Sequence, residues 1–175
     1  MPRKRALDFR IDKLTRSIEE VATREAFETE IVEVNRRDSA QIRNEDWLFD
    51  WRRELLRPAH QIFKLIIAKI PNRIQGLMSL TDQSDHVFIN LLENATFNIG
   101  EGKHYDGVAG NLVAFACKRA FQTGHGGIVA FHAKTALVKH YRETLGAQLF
   151  SHAGMLIDTK ESLVLVERYF PDFKL

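Results

Sequence analysis

Three apolar runs that follow one another closely constrain the fold more than any other feature of the sequence. They are IFKLIIAKI (62–70), RIQGLMSLT (73–81) and HVFINLLEN (86–94). Their length and their content of branched and aromatic side chains are typical of β-strands. The separators PN and DQSD are short turn signals, which suit hairpin connections. The sequence therefore predicts an antiparallel meander.

A glycine-bearing loop (98–110) follows the meander and leads into a helical pattern (110–123). Apolar residues recur in that pattern at helical spacing, at Leu112, Val113, Phe115, Ala116, Ala120 and Phe121. Gly124 ends the pattern, and the compact apolar run GIVAFHA (127–133) predicts a buried strand. Strand, helix and strand in this order predict a parallel pair with a right-handed crossover.

Weaker patterns complete the expected architecture. Helical spacing occurs in four further segments, at 17–26, 44–56, 134–146 and 160–169. Strand patterns occur in the alternating run ETEIVEV (28–34) and around 148–158. We therefore expect a single α/β (α+β) domain over residues 1–175. Its sheet is mixed, mostly antiparallel, about seven strands wide and flanked by helices.

Composition limits the cellular setting. Apolar residues make up 45% and charged residues 27% of the 175, the balance of an ordinary soluble protein. No apolar run approaches the roughly 20 residues that span a bilayer, and the basic start has no hydrophobic stretch behind it. Cys117 is the only cysteine, which excludes an internal disulfide framework. We expect a cytoplasmic protein without a membrane partner.

The charge is segmented although the net charge is only +2. Residues 1–16 carry six Lys or Arg against two Asp, while residues 17–33 carry six Glu against one Arg. A solvated helix with a frayed basic end is favoured over a nucleic-acid-binding arm. Nucleic acid is therefore an unfavoured partner.

The loop HYDGVAGNL (104–112) combines a glycine turn with the start of a helix. Unpaired backbone N–H groups and the helix dipole favour an anion at such a position. Gly107 and Ala109 present no large side chain, and Lys103 and His104 stand just upstream. The loop contains neither GxxxxGK[ST] nor GxGxxG. A phosphate cradle and a plain turn before a helix both stay open.

The order and spacing of elements over 86–146 resemble the Gcn5-related N-acetyltransferase (GNAT) family. The family's pyrophosphate loop has Arg or Gln, two residues, Gly, one residue, then Gly or Ala; here the stretch runs from His104 through Gly107 to Ala109. His104 replaces the usual Arg or Gln, and Lys134 replaces a common Asn. The stretch ENATFN (93–98) resembles a bacterial acetyltransferase-like subgroup. The likeness covers most of 28–158, with 86–146 as the acetyl-CoA-binding core and 1–27 as an N-terminal helical extension.

This resemblance implies acetyl-CoA as co-substrate and no metal. A backbone N–H near Leu92 to Asn94 is expected to polarise the thioester carbonyl. The pyrophosphate is expected to bind at the helix mouth. The residues implied there are His104, Tyr105, Asp106, Gly107, Val108, Ala109, Gly110 and Asn111.

Two residues are implied as catalytic by the same resemblance. Glu93, at the end of the strand, is the expected general base that takes a proton from the amine. Tyr141 is the expected general acid for the departing thiolate. The alternatives are a surface carboxylate for Glu93 and a core tyrosine with a satisfied hydroxyl for Tyr141.

Other polar and aromatic residues have simpler interpretations. Cys117 is expected to be a packed thiol, and His132 a core histidine rather than a second base. Asn98 either contacts the pantetheine or substrate or caps a loop, and the same holds for Asn94. Trp47, Phe49 and Trp51 are expected to pack. The seven histidines show no zinc spacing.

We therefore expect an N-acetyltransferase that moves an acetyl group from acetyl-CoA to an amine by direct attack in a ternary complex. The acceptor, a small molecule or a protein, is not identified, although an acidic groove favours a basic substrate. The alternative is a non-catalytic GNAT-fold module that binds acyl-CoA or a protein through the Trp47/Trp51 segment. A homodimer is left open.

Overall fold

The structure is a computed structural model that describes residues 5–14 and 18–175. In chain order the strands are β1 (Ile18–Glu20), β2 (Ala26–Phe27), β3 (Thr29–Glu33), β4 (Gln61–Ile67), β5 (Ile70–Asp82), β6 (Val87–Asn94), β7 (Tyr105–Asp106), β8 (Val129–His132), β9 (Gln148–Leu149) and β10 (Gly154–Ile157). The α-helices are α1 (Trp51–Leu55), α2 (Val108–Gln122), α3 (Val138–Leu145) and α4 (Thr159–Tyr169).

A seven-stranded sheet in the order β3-β4-β5-β6-β8-β10-β9 forms the centre of the fold. The predicted meander is confirmed, because β4, β5 and β6 pair antiparallel in sequence order. Both faces of β5 are covered: Met78 lies in the main core with α2 and α4, while Leu77 packs with Trp47 and Trp51 on the opposite face. The period of two along the strand explains why neighbouring residues enter different cores.

The predicted parallel pair is also confirmed, with α2 connecting β6 to β8. Within the described residues, its ladder covers Val87↔Val129 and Phe88↔Ala130. Past Phe88 the facing edges of the two strands separate. We call this space the β6–β8 gap, and every residue discussed below as functional lies in it or at its rim.

The prediction of an N-terminal helical extension is wrong. Residues 5–14 contain no helical turn, and the segment predicted as a helix at 17–26 forms β1 and β2 instead (Ser17 lies outside the described residues). β1 pairs antiparallel with β2 and with β7, which makes a small second sheet. Pairing with these partners outweighs the weak local helical pattern, because tertiary context routinely overrides propensity.

Three other helices differ from their predicted bounds. The helix predicted at 134–146 is a 3₁₀ turn (Thr135–Leu137) followed by α3. The segment predicted as a helix at 44–56 keeps a 3₁₀ turn (Asn44–Asp46) and α1, since the amides of Leu48 and Phe49 turn away to another partner, described below. Helix α2 begins at Val108, two residues earlier than predicted, because Gly107 precedes it in the left-handed conformation (φ 94°).

The packing of Cys117, Trp47 and Trp51 agrees with the predictions from the sequence. Cys117 is fully buried in α2, and burial raises the pKa of its thiol to about 12, which agrees with a packed thiol. The indoles of Trp47 and Trp51 are buried, as predicted.

Across residues 5–14 and 18–175, no helix combines the length and apolar character that crossing a bilayer requires.

Candidate active site

A cavity of about 560 Å³ lies in the β6–β8 gap. The end of β6 supplies one wall through Leu92, Glu93 and Asn94, and Phe49 closes one side. On the side facing β8, the ladder of β6 stops at Phe88, so the backbone edge of this wall faces the cavity. The opposite wall is formed by residues 8–12 of the chain itself.

Residues 5–14, here called the N-terminal segment, run through the β6–β8 gap in extended form. The amide of Leu7 donates to the carbonyl of His132 (2.6 Å), and the amide of Lys134 donates to the carbonyl of Leu7 (3.1 Å). The amide of the intervening Ala133 donates in the other direction, to Ala153 before β10. Because neighbouring peptide groups on a strand point to opposite edges, Leu7 lies on the edge that faces β6.

Tyr141, the predicted general acid, is fully buried on α3. Its hydroxyl donates to the carbonyl of Phe9 (2.6 Å), and its ring packs 5.0 Å from the ring of Phe9. Burial raises the pKa of the hydroxyl above its ordinary value. In this conformation Tyr141 is therefore a core tyrosine with a satisfied hydroxyl, which was the alternative interpretation.

His140, next to Tyr141, also holds the N-terminal segment. Its Nε2 accepts the amide hydrogen of Ile11 (2.9 Å), so the imidazole is neutral in this arrangement. Burial lowers the pKa of His140, the charge of Arg10 lowers it further, and Glu143 opposes them.

The mouth of α2 contains a carboxylate from the same segment. The amide of Gly107 donates to Asp12 Oδ1 (3.0 Å). Lys103 Nζ lies 3.0 Å from Asp12 Oδ2 and 2.7 Å from Asp106 Oδ1. Burial lowers the pKa of Lys103, but its bonds to Asp106 and Asp12 outweigh burial and the pKa is raised. For Asp106, burial raises the pKa, but Lys103 reverses the effect and the pKa is lowered.

The helix mouth has the donors that a diphosphate requires, at the position that Asp12 takes. The first-turn amides at 108–110 have no partner inside α2 by virtue of their position. Together with the Gly107 amide and the Lys103 ammonium, they form a set that binds anionic oxygens. The N-terminal segment approaches the backbone of α2 closely at Gly110, because a Cβ added at this position would lie 3.0 Å from the carbonyl oxygen of Lys13. A diphosphate fits these donors once Asp12 has moved away.

Part of the predicted pyrophosphate set does not reach the mouth. The ring of His104 packs 5.5 Å from that of Phe97, and its carbonyl accepts from the amide of Val21. Tyr105 and Asp106 form β7 and pair with β1, so that their backbone groups serve the small sheet. The amide of Asn111 donates to Gly107 inside α2. Gly107, Val108, Ala109 and Gly110 are the predicted residues that gather at the mouth.

Glu93, the predicted base, is 5% exposed, so the alternative interpretation as a surface carboxylate is wrong. Its Oε1 accepts from Trp51 Nε1 (2.8 Å) and from the amide of Phe49 (3.3 Å), and its Oε2 accepts from the amide of Leu48 (2.7 Å). The carboxylate lines the cavity with its orientation held by three donors.

The two asparagines near Glu93 have different roles. Asn98 is a loop cap: its Nδ2 donates to the carbonyl of Gln75 (3.1 Å), and its Oδ1 accepts from the amide of Tyr105 (3.2 Å). Asn94 lines the cavity, and its Oδ1 is buried without a hydrogen-bond partner among the described residues. Asn94 is therefore the one of the two that has hydrogen-bonding capacity left for a ligand.

Sequence reasoning missed Asp12, Phe9 and a second buried carboxylate, Glu54. Glu54, on α1, is 2% exposed and bonds to His60 Nδ1 (2.6 Å) and Ser79 Oγ (3.0 Å). It does not line the cavity. None of the three carries a local motif. Among residues 5–14 and 18–175, no three His, Cys, Asp or Glu side chains cluster as metal ligands do.

We expect Glu93→Gln to lower the free energy of unfolding by about 1–3 kcal/mol, because the amide nitrogen of glutamine cannot accept the hydrogens that the carboxylate accepts. Urea unfolding at pH 7.5 measures the change. Glu30→Gln, on the exposed side of β3, is the matched control and should stay within about 0.5 kcal/mol of wild type. Equal effects of the two substitutions contradict the buried network.

We expect acidification to weaken the protein through His140. Its pKa is lower in the folded than in the unfolded state, so the unfolded state binds more protons as pH falls through about 6.5 and stability is lost in that window. Between pH 7.5 and 5.5, wild type should lose more unfolding free energy in urea than His140→Gln, in which the amide oxygen accepts from Ile11 without titrating. Equal losses contradict this assignment.

Only the comparison with solved structures finds proteins that are similar to this chain. No protein-family model matches the chain, and no curated protein matches it in sequence. A bacterial toxin of known structure matches at TM-score 0.59 and 12% identity, covering 82% of this chain and 97% of its own. The spermidine/spermine N-acetyltransferase SpeG from Vibrio cholerae matches at 0.55 and 16%, covering 78% and 98%. AtaTR bound with acetyl-CoA matches at 0.54 and 12%, covering 78% and 97%.

Proposed function

Because the chain has the GNAT fold, we propose that it is an acetyl-CoA-dependent N-acetyltransferase that acts on an amine. The observation that carries the proposal is the β6–β8 gap. Its wall places the edge of β6 that lies past the ladder with β8, together with the Glu93 carboxylate, beside one cavity, and its rim contains the N-terminus of α2, where Asp12 binds in the present conformation. A strand edge can bind the amides of a ligand arm, and a helix N-terminus can bind a diphosphate. A buried carboxylate can receive the proton of an amine.

Three groups of this chain would hold the co-substrate. The amides of Gly107 to Gly110 and the Lys103 ammonium would bind the diphosphate after Asp12 leaves. The backbone edge at Leu92 and Asn94 would bind the pantetheine amides and the thioester oxygen. Acetyl-CoA, when bound, supplies an acetyl group activated as a thioester. One backbone donor at the carbonyl oxygen can contribute roughly 3 kcal/mol in the transition state.

Glu93 is proposed to receive the proton of the attacking amine. Its three donors occupy three of about four lone-pair positions, which leaves one for the amine. The donors also prevent the carboxylate from rotating, so that this position is fixed relative to the edge of β6. A general base placed in this way contributes about 10²–10⁴ to the rate.

Tyr141 is proposed to give a proton to the departing thiolate. Burial raises the pKa of the hydroxyl, which makes it a weaker acid in the present conformation. The hydroxyl is bonded to Phe9 in the present conformation, so this role requires that Phe9 leave the β6–β8 gap.

The acceptor is proposed only to the level of an amine. SpeG acts on spermidine and spermine by its name, and the fold that it shares with this chain supports an amine as acceptor and no finer assignment. The cavity is mixed in charge, since Asp8, Asp12 and Glu93 lie opposite Arg10 and Lys103. A clearly acidic groove would favour a polyamine, and the described cavity is not clearly acidic.

One observation favours a second function, a non-catalytic GNAT-fold module. The bond between Tyr141 and Phe9 removes the proposed acid from the cavity. Such a module would bind acyl-CoA or a protein without transfer. The Trp47 and Trp51 side chains are not a binding surface for it in this conformation, because both indoles are buried.

The kcat of Glu93→Gln distinguishes the N-acetyltransferase from the non-catalytic module. Acetyl-CoA is mixed with a panel of primary amines, and the released CoA thiol is measured for the full chain. We expect kcat to fall about 10²-fold or more, with little change in KM for acetyl-CoA, because a proton acceptor acts in the transition state.

Glu54→Gln is the control, since Glu54 is equally buried and hydrogen-bonded but lies outside the cavity. It should keep kcat within about threefold of wild type. Acetyl-CoA binding without release of CoA from any amine supports the non-catalytic module instead. Equal loss of kcat in the two variants means that Glu93 acts through stability alone.

A further inference from the structure

The N-terminal segment makes three different contacts in the β6–β8 gap, and two of them use groups that the proposed co-substrate would need, the Tyr141 hydroxyl and the Gly107 amide. At one end Leu7 pairs with the edge beyond β8. In the middle the carbonyl of Phe9 holds the Tyr141 hydroxyl. At the other end the carboxylate of Asp12 accepts from the Gly107 amide at the mouth of α2. A strand-like arm that ends in an anion at a helix N-terminus therefore spans the site.

The segment alternates like a strand. Leu7, Phe9 and Ile11 are 2%, 7% and 7% exposed and belong to the main core, while Asp8 and Arg10 face outward. Its apolar side therefore packs against the main core, where the arm of a bound ligand would otherwise pack. The five residue steps from Leu7 to Asp12 cover roughly 17 Å in extended form. One ordered stretch of the chain is thus long enough to link the strand edge to the helix mouth.

Asp12 decides whether the segment and a diphosphate can be present together. Its carboxylate bonds to both the Gly107 amide and the Lys103 ammonium. A phosphoryl group at these donors would meet the Asp12 charge at contact distance, with Asp106 adjacent. Two anions cannot share one set of donors without strong repulsion. Binding of the segment and binding of a diphosphate are therefore mutually exclusive at this point.

The ion pair at the start of the segment is easily exchanged. The Lys134–Asp8 pair is exposed on both sides, and exposed ion pairs of this kind contribute little to stability. Arg5 lies 3.6 Å from the buried carboxylate of Glu54. Among the described residues, the segment makes two ladder bonds to the β8 side, both at Leu7. Release of residues 5–14 leaves the strand pairs of the seven-stranded sheet in place.

We propose that residues 7–12 are an intramolecular inhibitor, a strand-like stretch that competes with acyl-CoA for the β6–β8 gap and uses Asp12 in the place of the diphosphate. The proposal rests on the proposed function for the identity of the ligand. Acyl-CoA binds after the segment leaves, and the leaving of Phe9 frees the Tyr141 hydroxyl. The segment is thus a built-in control on the same site.

A disulfide lock tests this competition in the full chain. Leu7 and Ala133 are direct partners with buried side chains, so Leu7→Cys with Ala133→Cys gives a pair suited to oxidation. Cys117 is replaced by alanine in every variant of this test, so that the new pair holds the only two thiols of the double variant. Calorimetry with acetyl-CoA should show at least 20-fold weaker binding to the oxidised than to the reduced double variant. Leu7→Cys alone, treated with the same oxidant, should not change its affinity.

The same lock can be measured in the other direction. Since linkage is reciprocal, saturating acetyl-CoA should slow formation of the disulfide at least 20-fold. Quantified thiols report this without any catalytic activity. An unchanged rate in a protein that binds acetyl-CoA overturns the competition.

A charge variant tests Asp12 independently of the lock, and it decides the matter if the cysteine pair does not oxidise. Asp12→Asn should bind acetyl-CoA at least fivefold more tightly than wild type. Asp38→Asn makes the same change of charge at an exposed position in the 3₁₀ helix (Arg36–Gln41) and should stay within twofold. Thermal unfolding of each variant verifies that it is folded.

The outcomes separate the inference from the proposed function. Equal affinity of the oxidised and reduced forms, or of Asp12→Asn and wild type, overturns the inhibitor and leaves an acetyl-CoA-binding protein. Absence of binding to wild type, to the reduced double variant and to Asp12→Asn overturns the proposed function and the ligand named here together. Weak binding by wild type that strengthens in Asp12→Asn and disappears in the oxidised lock supports both.

Discussion

Separation of two parallel strands is the constraint on which the rest of this structure depends. β6 and β8 pair at their beginnings and then diverge, which leaves backbone groups of both edges inside the fold. Buried backbone groups need partners, and here the chain supplies some of them itself. Leu7 satisfies the edge beyond β8, and Asp12 satisfies an amide at the mouth of α2. The divergence thus creates both the cavity and the demand for something to fill it.

A buried carboxylate makes the other wall of that cavity rigid. Glu93 draws the amides of Leu48 and Phe49 and the indole of Trp51 toward the end of β6. The same bonds interrupt the helix predicted at 44–56 and place Phe49 beside the cavity. The polar chemistry of the proposed site and the packing of the second core are therefore one network. A change to Glu93 disturbs the second core as well as the proposed site, which is why Glu54→Gln is the informative control.

Local patterns predicted the parts of the fold that local forces determine. Alternation and turn signals predicted β4, β5 and β6, and the glycine loop predicted the start of α2 to within two residues. Long-range contacts account for the failures. Gly107 and Asp12 are 95 residues apart, and Tyr141 and Phe9 are 132 apart, so no periodicity or motif signals either bond. The helical prediction for 17–26 fails because β1 pairs both with the adjacent β2 and with β7 far along the chain, and the local pattern signals neither partner.

Hydrogen exchange of the N-terminal segment is the most direct test of the central claim. The amides of Leu7 and Ile11 donate to His132 and His140 only while the segment lies in the β6–β8 gap. Exchange into the peptide that covers residues 5–14 is measured with and without saturating acetyl-CoA, with peptides from β4 and β5 as internal references. The account predicts faster exchange in 5–14 on addition of acetyl-CoA and no change in the references. Bound acetyl-CoA with unchanged or slower exchange in 5–14 contradicts it.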